Sequence, residues 1–338
     1  MNLLVTGGCG FIGANFILYW LKKHSEDRVV NVDLCTYAAV KENLQSVEKD
    51  SRYCMIKADI ADYKAMEEVV EKYDIDYIVN FAAESHNSNS IIDPTAFYRT
   101  NLIGLQTLME VVRHNKKVQR IHHISTCEVY GDLALDSEAA FDENYPLGGN
   151  SPYSSSKACA QLAAKAYFKT YGIPITVSVC SNNYGSYQFP EKLIPLFVTN
   201  MLEGKPLTLY KESNFKREWL HVEDHCRAIE LILLEGKEGE IYNIGSGVEK
   251  SVEEIADIIL SYFGGTAARK VIVPSRPSHD RRYLLNCEKI KKELLWKPAI
   301  SFEEGINKTI DWYVHNKQWW EPLLERRKVS EKEWGCDS

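Results

Sequence analysis

A chain that runs from a short apolar strand straight into three glycines spaced by three has few folds open to it. Asn2-Leu3-Leu4-Val5-Thr6 is such a strand, and Gly7, Gly10 and Gly13 follow within Gly7-Gly8-Cys9-Gly10-Phe11-Ile12-Gly13. Phe16, Ile17, Trp20 and Leu21 then recur at helical spacing. Val29-Val30-Asn31-Val32-Asp33 reads as a second strand that ends on an acid. Strand, glycine turn, helix, strand and acid in this order form the dinucleotide-binding arrangement. The glycines let the backbone turn tightly and approach a pyrophosphate, which the helix N-terminus stabilises. Asp33 lies about 20 residues beyond Gly13, where a carboxylate accepts hydrogen bonds from an adenosine ribose. It would repel a 2′-phosphate, so the pattern predicts NAD rather than NADP. A sharp βα turn without a ligand would need the glycines but not the acid in register.

The alternation continues. Met55-Ile56 leads to Asp59-Ile60, a charged amphipathic helix is predicted over about 63–73, and Tyr77-Ile78-Val79-Asn80-Phe81 is a strand ending in Ala82-Ala83-Glu84-Ser85-His86. A helix over about 95–114, a strand at Ile121 and another at Ile173–Val179 follow. Strands and helices alternating at this length predict an α/β fold, a Rossmann-type doubly wound parallel sheet covered on both faces. After Cys180 the texture becomes polar, aromatic and turn-rich, in Asn182-Asn183-Tyr184-Gly185-Ser186-Tyr187-Gln188-Phe189-Pro190. The expected organisation is therefore a cofactor-binding domain over 1–180, rejoined by about 221–247, and a smaller C-terminal α/β substrate-binding portion over 181–220 and 248–338. The aromatic stretch from Trp312 to Trp320 is predicted to be helical.

Among 338 residues, a net charge of −7 with no Lys/Arg-rich tract argues against a nucleic-acid surface. No apolar run reaches the roughly 18 residues that a bilayer span requires. Nine cysteines without a C-x-x-C pair fit a reducing cytoplasm better than a disulfide framework or a zinc site. Entry into a strand at Leu3 with no basic leader points the same way. His122 and His123 lie within a strand with no acid or Cys at ligand spacing, so they read as packing residues, and no metal is expected.

The stretch from Ser125 to Lys157 carries the chemistry. Ser125-Thr126-Cys127-Glu128-Val129-Tyr130-Gly131 reads as a strand end turning into a loop, and Tyr153-Ser154-Ser155-Ser156-Lys157 opens a helix behind Pro152. A hydroxyl, a thiol, a carboxylate, a phenol and an ammonium would meet at one strand-to-helix mouth, a set suited to moving protons. Tyr-x-x-x-Lys also occurs at Tyr19, Tyr37, Tyr53 and Tyr313, but only the copy at Tyr153 follows a hydroxyl-bearing strand end and opens a helix.

These residues resemble the extended short-chain dehydrogenase/reductases, and within them the nucleotide-sugar dehydratases typified by dTDP-glucose 4,6-dehydratase. The glycine turn and the Tyr153/Lys157 pair mark the wider superfamily. Asn182-Asn183-Tyr184-Gly185 with Tyr187-Gln188-Phe189-Pro190-Glu191-Lys192-Leu193, and Arg276-Pro277 with His279-Asp280-Arg281-Arg282-Tyr283, mark the dehydratase branch. The resemblance implies a lyase that retains NAD. The cofactor takes a hydride from C4 of the sugar, water leaves across C5 and C6, and the hydride returns to the sugar. By position, Tyr153 takes the O4 proton, Lys157 lowers its pKa and holds the nicotinamide ribose, Thr126 hydrogen-bonds O4, and Glu128 is the C5 base. The cofactor would lie along Gly7, Gly10, Phe11, Ile12, Gly13 and Asp33, then Asp59, Ile60, Ala82, Ala83 and Ser85. For the nucleotide-diphosphate sugar, the resemblance points to Ser85, His86, Asn183, Lys192 and Leu193 from the first part of the chain. Tyr210, Arg217, Asn243, Arg276 and His279 would complete that site. It also implies a homodimer paired through the helices near Thr95 and Tyr153.

The chain departs from the family pattern in three places. Cys127 stands where an Asp usually protonates the departing C6 oxygen. A thiol (pKa ~8.5) holds a proton at neutral pH without tuning but is a weaker acid. The same replacement resembles a branch that converts UDP-N-acetylglucosamine to a 5,6-ene, and a free cysteine is also a common core filler. His86-Asn87-Ser88-Asn89-Ser90 replaces a usual Val-Asp-Arg triplet between the His and the Ser, beside the expected sugar pocket. Tyr210-Lys211-Glu212-Ser213 replaces a glycine-rich turn. The expected activity is NDP-hexose 4,6-dehydration. The alternatives are 5,6-dehydration, a 4-epimerase, against which Glu128 counts, and a silent NAD-binding regulator, against which Tyr153 and Lys157 count.

Overall fold

The computed structural model describes residues 1–265, 269–275 and 279–327. Twelve strands are formed by the described residues: β1 (Asn2–Thr6), β2 (Arg28–Asp33), β3 (Tyr53–Lys57), β4 (Tyr77–Asn80), β5 (Arg120–Thr126), β6 (Ile175–Cys180), β7 (Asn182–Tyr184), β8 (Leu207–Tyr210), β9 (Lys216–His221), β10 (Ile241–Ile244), β11 (Glu249–Ser251) and β12 (Lys270–Val273). Seven of them make one sheet in the order β10-β6-β5-β4-β1-β2-β3, and every pairing in it is parallel. Order reverses between β1 and β4, the topological switch point where doubly wound sheets bind ligands beyond their strand C-termini. β10 is the seventh strand, at the edge of the sheet beside β6.

β1 from Leu3 to Thr6 and the whole of β6 are buried because helices cover both faces of the sheet. On one face Phe16, Ile17 and Trp20 pack with Ile229, Ile232 and Tyr242. On the other, Val69, Leu105, Leu108, Ala160 and Ala164 form a second core. A three-stranded sheet, β11-β9-β7, and a two-stranded one, β12-β8, build the smaller portion. Its core joins Phe197, Trp219, Ile255, Ile310, Tyr313 and Trp320. One segment departs from the expected division: Leu285, Ile290 and Trp296 pack into the first core of the main sheet. Helix Val222–Glu235 lies on the same face and covers its apolar side with them.

The predicted aromatic helix is two helices, Phe302–His315 and Lys317–Trp320. Asn316, at φ −118° and ψ 41°, breaks the run, and its side-chain amide donates to Trp312 O at 2.7 Å. Helix Asn87–Ile92 was not foreseen, since Asn and Ser compete with their own backbone and disfavour helix interiors.

Candidate active site

The glycine turn is required by space as well as by conformation. Gly7 has φ 71°, and a Cβ there would stand 2.6 Å from Ala82 N. A Cβ on Gly13 would stand 2.4 Å from Gly7 O. Gly10 caps helix Phe11–Lys23 without a side-chain hydrogen bond, so the helix presents its first N–H groups to a ligand. Asp33 ends β2, and its two carboxylate oxygens accept from Cys9 N at 2.9 Å and Cys35 N at 2.7 Å. Burial raises the Asp33 pKa against the pull of these two donors.

From this turn a cleft of about 320 Å³ runs along the C-terminal ends of the strands. Gly7, Gly10, Phe11, Ile12, Gly13, Asp33, Asp59, Ile60, Ala82, Ala83 and Ser85 line one end of the expected set. Thr126, Glu128, Tyr153, Lys157, Asn183 and Lys192 line the same cleft. A glycine cradle, a helix N-terminus without a side-chain cap and a carboxylate at the end of β2 fit the diphosphate and ribose of a dinucleotide.

Helix Pro152–Tyr171 positions the phenol and the ammonium. Ser151 caps it in a reciprocal box with Ser154, Pro152 occupies its first turn, and Gly172 closes it at φ 64°. Tyr153 is buried and hydrogen-bonds Thr126, which pulls its phenol pKa down. Burial first, and then the Glu128 charge, push that pKa well above its ordinary value. Lys157 Nζ donates to Ile124 O at 2.5 Å and meets His123 Nε2 at 3.4 Å. Burial pulls its pKa down from 10.5 to about 8.

Glu128 sits half-buried one residue after Cys127. Asn87 Nδ2 donates to Glu128 Oε2 at 2.6 Å, and Asn87 Oδ1 accepts from Ser151 Oγ at 2.7 Å. The changed triplet thus ties the carboxylate to the cap of helix Pro152–Tyr171. Asn101 makes a second tie. It lies in the π-helical turn Arg99–Gly104, accepts from Glu84 N at 3.0 Å and donates to Ser156 Oγ at 2.8 Å. His123 is more than packing, because its Nδ1 faces Asn80 Nδ2 at 3.1 Å and its Nε2 faces Lys157. His122 is a core residue hydrogen-bonded to Thr176 and Ser178. No spacing rule singled out Asn87, Asn101 or His123. Asn87 was visible only as a departure from the family triplet.

Several expected residues lie off the cleft wall. Cys127 is 1% exposed within the first core, and burial, then the Glu128 charge, raise its thiol well above the ordinary value. His86 caps helix Asn87–Ile92, and Leu193 starts helix Leu193–Leu202 against the smaller core. Arg217 stacks its guanidinium 4.8 Å from the Tyr283 ring centre and donates to Asp280 O at 2.8 Å. Tyr210 and His279 make an edge-on ring contact at 5.3 Å. Asn243 corrects the reading: it is fully buried, accepts from Tyr130 OH and donates to Phe141 O and Asn286 O, so its amide anchors β10 rather than a substrate. Arg276 lies outside the described residues. Lys192 Nζ donates to Ser85 O at 3.2 Å, which brings two of the expected substrate residues together.

Comparison with known proteins agrees with this geometry. The family described as GDP-mannose 4,6 dehydratase matches residues 4–309. A dTDP-glucose 4,6-dehydratase of Haemophilus influenzae is 44% identical, over 94% of this chain and 98% of its own. The dTDP-glucose 4,6-dehydratase of Bacillus anthracis, solved in complex with NAD, superposes with a TM-score of 0.90 at 46% identity, covering 96% of this chain and 99% of that one. The Streptomyces venezuelae enzyme of the same name, solved with NAD bound, gives 0.91 at 43% identity, over 96% and 100%. With its parallel sheet, its glycine turn and its Tyr153/Lys157 pair, the chain belongs to the GDP-mannose 4,6 dehydratase family, in the nucleotide-sugar dehydratase branch of the extended short-chain dehydrogenase/reductases.

Proposed function

We propose that this protein is an NAD-dependent NDP-hexose 4,6-dehydratase, with dTDP-glucose the first substrate to test. The observation that carries the reading is one cleft with a dinucleotide cradle at one end and Thr126, Glu128, Tyr153 and Lys157 at the other. Bound NAD supplies a hydride acceptor for C4 and, once reduced, the donor for C6. Tyr153 accepts the O4 proton as C4 is oxidised, and Thr126 fixes O4 beside the phenol. Lys157, anchored on Ile124 O, places its ammonium to hold the nicotinamide ribose and to favour the phenolate. The new ketone acidifies C5–H, and Glu128, held by Asn87, removes that proton. Cys127 holds the sequence position of the acid for the C6 oxygen, although its thiol lies in the core off the cleft wall and must come forward to serve there. Burial keeps its thiol protonated, as a proton donor needs, and its weak acidity would make elimination slow. Lys192, Asn183 and Arg217 are the described candidates for the diphosphate, with Arg276 from outside the described residues.

The division into a cofactor domain and a nucleotide-sugar portion belongs to the same reading. So does a cytoplasmic homodimer, paired through the helices over 94–114 and 152–171. Ile103 and Leu162, at 45% and 56% exposure, offer apolar contacts on those helices. No described helix is long and apolar enough to cross a membrane.

Turnover in heavy water with dTDP-glucose, UDP-glucose and UDP-N-acetylglucosamine tests the chemistry. Loss of one water with deuterium at C5 and a 4-ketone is the expected result. An exocyclic alkene with hydrogen still on C4 would make it a 5,6-dehydratase. Inversion at C4 without loss of mass would make it an epimerase and remove Glu128 from its role.

A further inference from the structure

Cys9 and Cys35 have no part in the proposed reaction, yet they meet around the acid at one end of the cleft. Cys9 lies in the glycine turn, and Cys35 follows β2 with a left-handed backbone, φ 59°. Each gives its backbone N–H to a different oxygen of Asp33. Among the described residues, the two Sγ atoms and an Asp33 carboxylate oxygen lie within 4.8 Å of one another. Asn31 Nδ2 donates to Cys9 Sγ at 3.5 Å, and Met55 Sδ lies 3.9 Å from the same sulfur.

Two thiols and a carboxylate suit a thiophilic cation with no geometric demand of its own. Tetrahedral zinc with Zn–S near ~2.3 Å sets sulfurs roughly 3.8 Å apart, so closing the site takes small side-chain shifts. Hard cations such as Mg²⁺ and Ca²⁺ want oxygen donors and fit poorly. Charge selects a divalent ion. Entry of M²⁺ with loss of two thiol protons leaves the site at the single negative charge that Asp33 gave it, whereas a monovalent ion would leave two. Uncompensated charge in a largely buried place is costly.

We propose that Cys9, Asp33 and Cys35 bind a divalent thiophilic cation, Zn²⁺ or Cd²⁺, and that this ion and NAD exclude each other. Two M–S bonds and one M–O bond form, two S–H protons go to solvent, and no electrons move. Exclusion follows because both Asp33 oxygens already accept a backbone N–H, and a cation bonded to one of them draws the carboxylate's charge away from the adenosine ribose. Metal uptake is independent of the proposed function, and only the exclusion rests on it, through the role of Asp33.

The test uses the full chain freed of nucleotide, with thiols reduced and air excluded. Cd²⁺ is titrated while the ultraviolet thiolate-to-cadmium band and the bound Cd²⁺ per chain are measured. NAD affinity is then measured without Cd²⁺, at saturating Cd²⁺ and after a chelator. The expected result is one Cd²⁺ per chain, with a band lost in Cys9→Ser and in Cys35→Ser but kept in Cys54→Ser. NAD affinity should fall about tenfold or more with Cd²⁺ and return with the chelator. No band, or a band that survives both substitutions, would overturn the site. A band that needs both cysteines, with NAD affinity unmoved by Cd²⁺, would overturn the exclusion. NAD failing to bind even without Cd²⁺ would instead count against the proposed function and leave the metal site to be decided by the band.

Discussion

Asn87, the first residue of the changed triplet, donates at 2.6 Å to the proposed base Glu128. A donor to the charged form of a carboxylate lowers its pKa, and removing it raises the pKa. Asn87→Val should therefore move the acid limb of the pH–rate profile upward by about one unit and cut kcat about tenfold or more. An unmoved acid limb would separate Asn87 from the base. Lys157 makes a second prediction. Its pKa is depressed from 10.5 to about 8 by burial, so between those values the unfolded chain binds more protons than the folded one. Stability from this group therefore rises with pH across that window, and its cost is fully present below about pH 8. Lys157→Met should abolish turnover, yet resist denaturant better at pH 7 by up to about 3 kcal/mol, a gain that shrinks as pH approaches 10.5. Unfolding curves of both proteins at pH 7 and pH 10 check this.

At the scale of single elements, the start of helix Pro152–Tyr171 was legible from Pro152, while its serine cap and its closing glycine came from the structure. These are local signals, and they act whatever the rest of the chain does. Ser151 does double duty, since its hydroxyl caps the helix and also donates to Asn87. Ser151→Ala should cost about 1 kcal/mol of stability from the cap. It should also lower kcat more than that loss explains, measured by parallel denaturation and kinetics. The glycine turn was equally legible. Gly13→Ala should fold but lose NAD affinity, because its methyl group would meet a backbone carbonyl at 2.4 Å. Calorimetric titration with NAD checks it. Asn101 was not legible, since its partner Ser156 lies 55 residues away and the bond crosses two helices.

At the scale of the whole molecule, the C-terminal aromatic segment reaches back to the cofactor end. Arg326 Nη2 donates to Tyr37 O at 2.6 Å and Ala39 O at 2.7 Å, and Trp319 Nε1 donates to Asn43 Oδ1 at 2.8 Å. Ala38 and Ala39 line the cleft beside Asp33. Arg326→Ala, which removes both bonds to that loop and the guanidinium's contact 5.9 Å from the ring centre of Phe189 in the cleft wall, should weaken NAD binding about three- to tenfold with little change in kcat at saturating NAD. An unchanged NAD affinity would confine the contact to packing. The sequence alone determined the glycine turn, the acid that ends β2, the strand–helix alternation and the helix opening behind Pro152 that bears Tyr153 and Lys157. Each of these is written in neighbouring residues, through backbone freedom, hydrophobic period and helix propensity. Tertiary structure decided which groups meet: that Asn87 faces Glu128, that His123 faces Lys157, that Cys127 lies inside the core, and that Asn243 anchors a strand. Those outcomes depend on burial and on hydrogen bonds between residues far apart in the chain, and no local pattern carries that information.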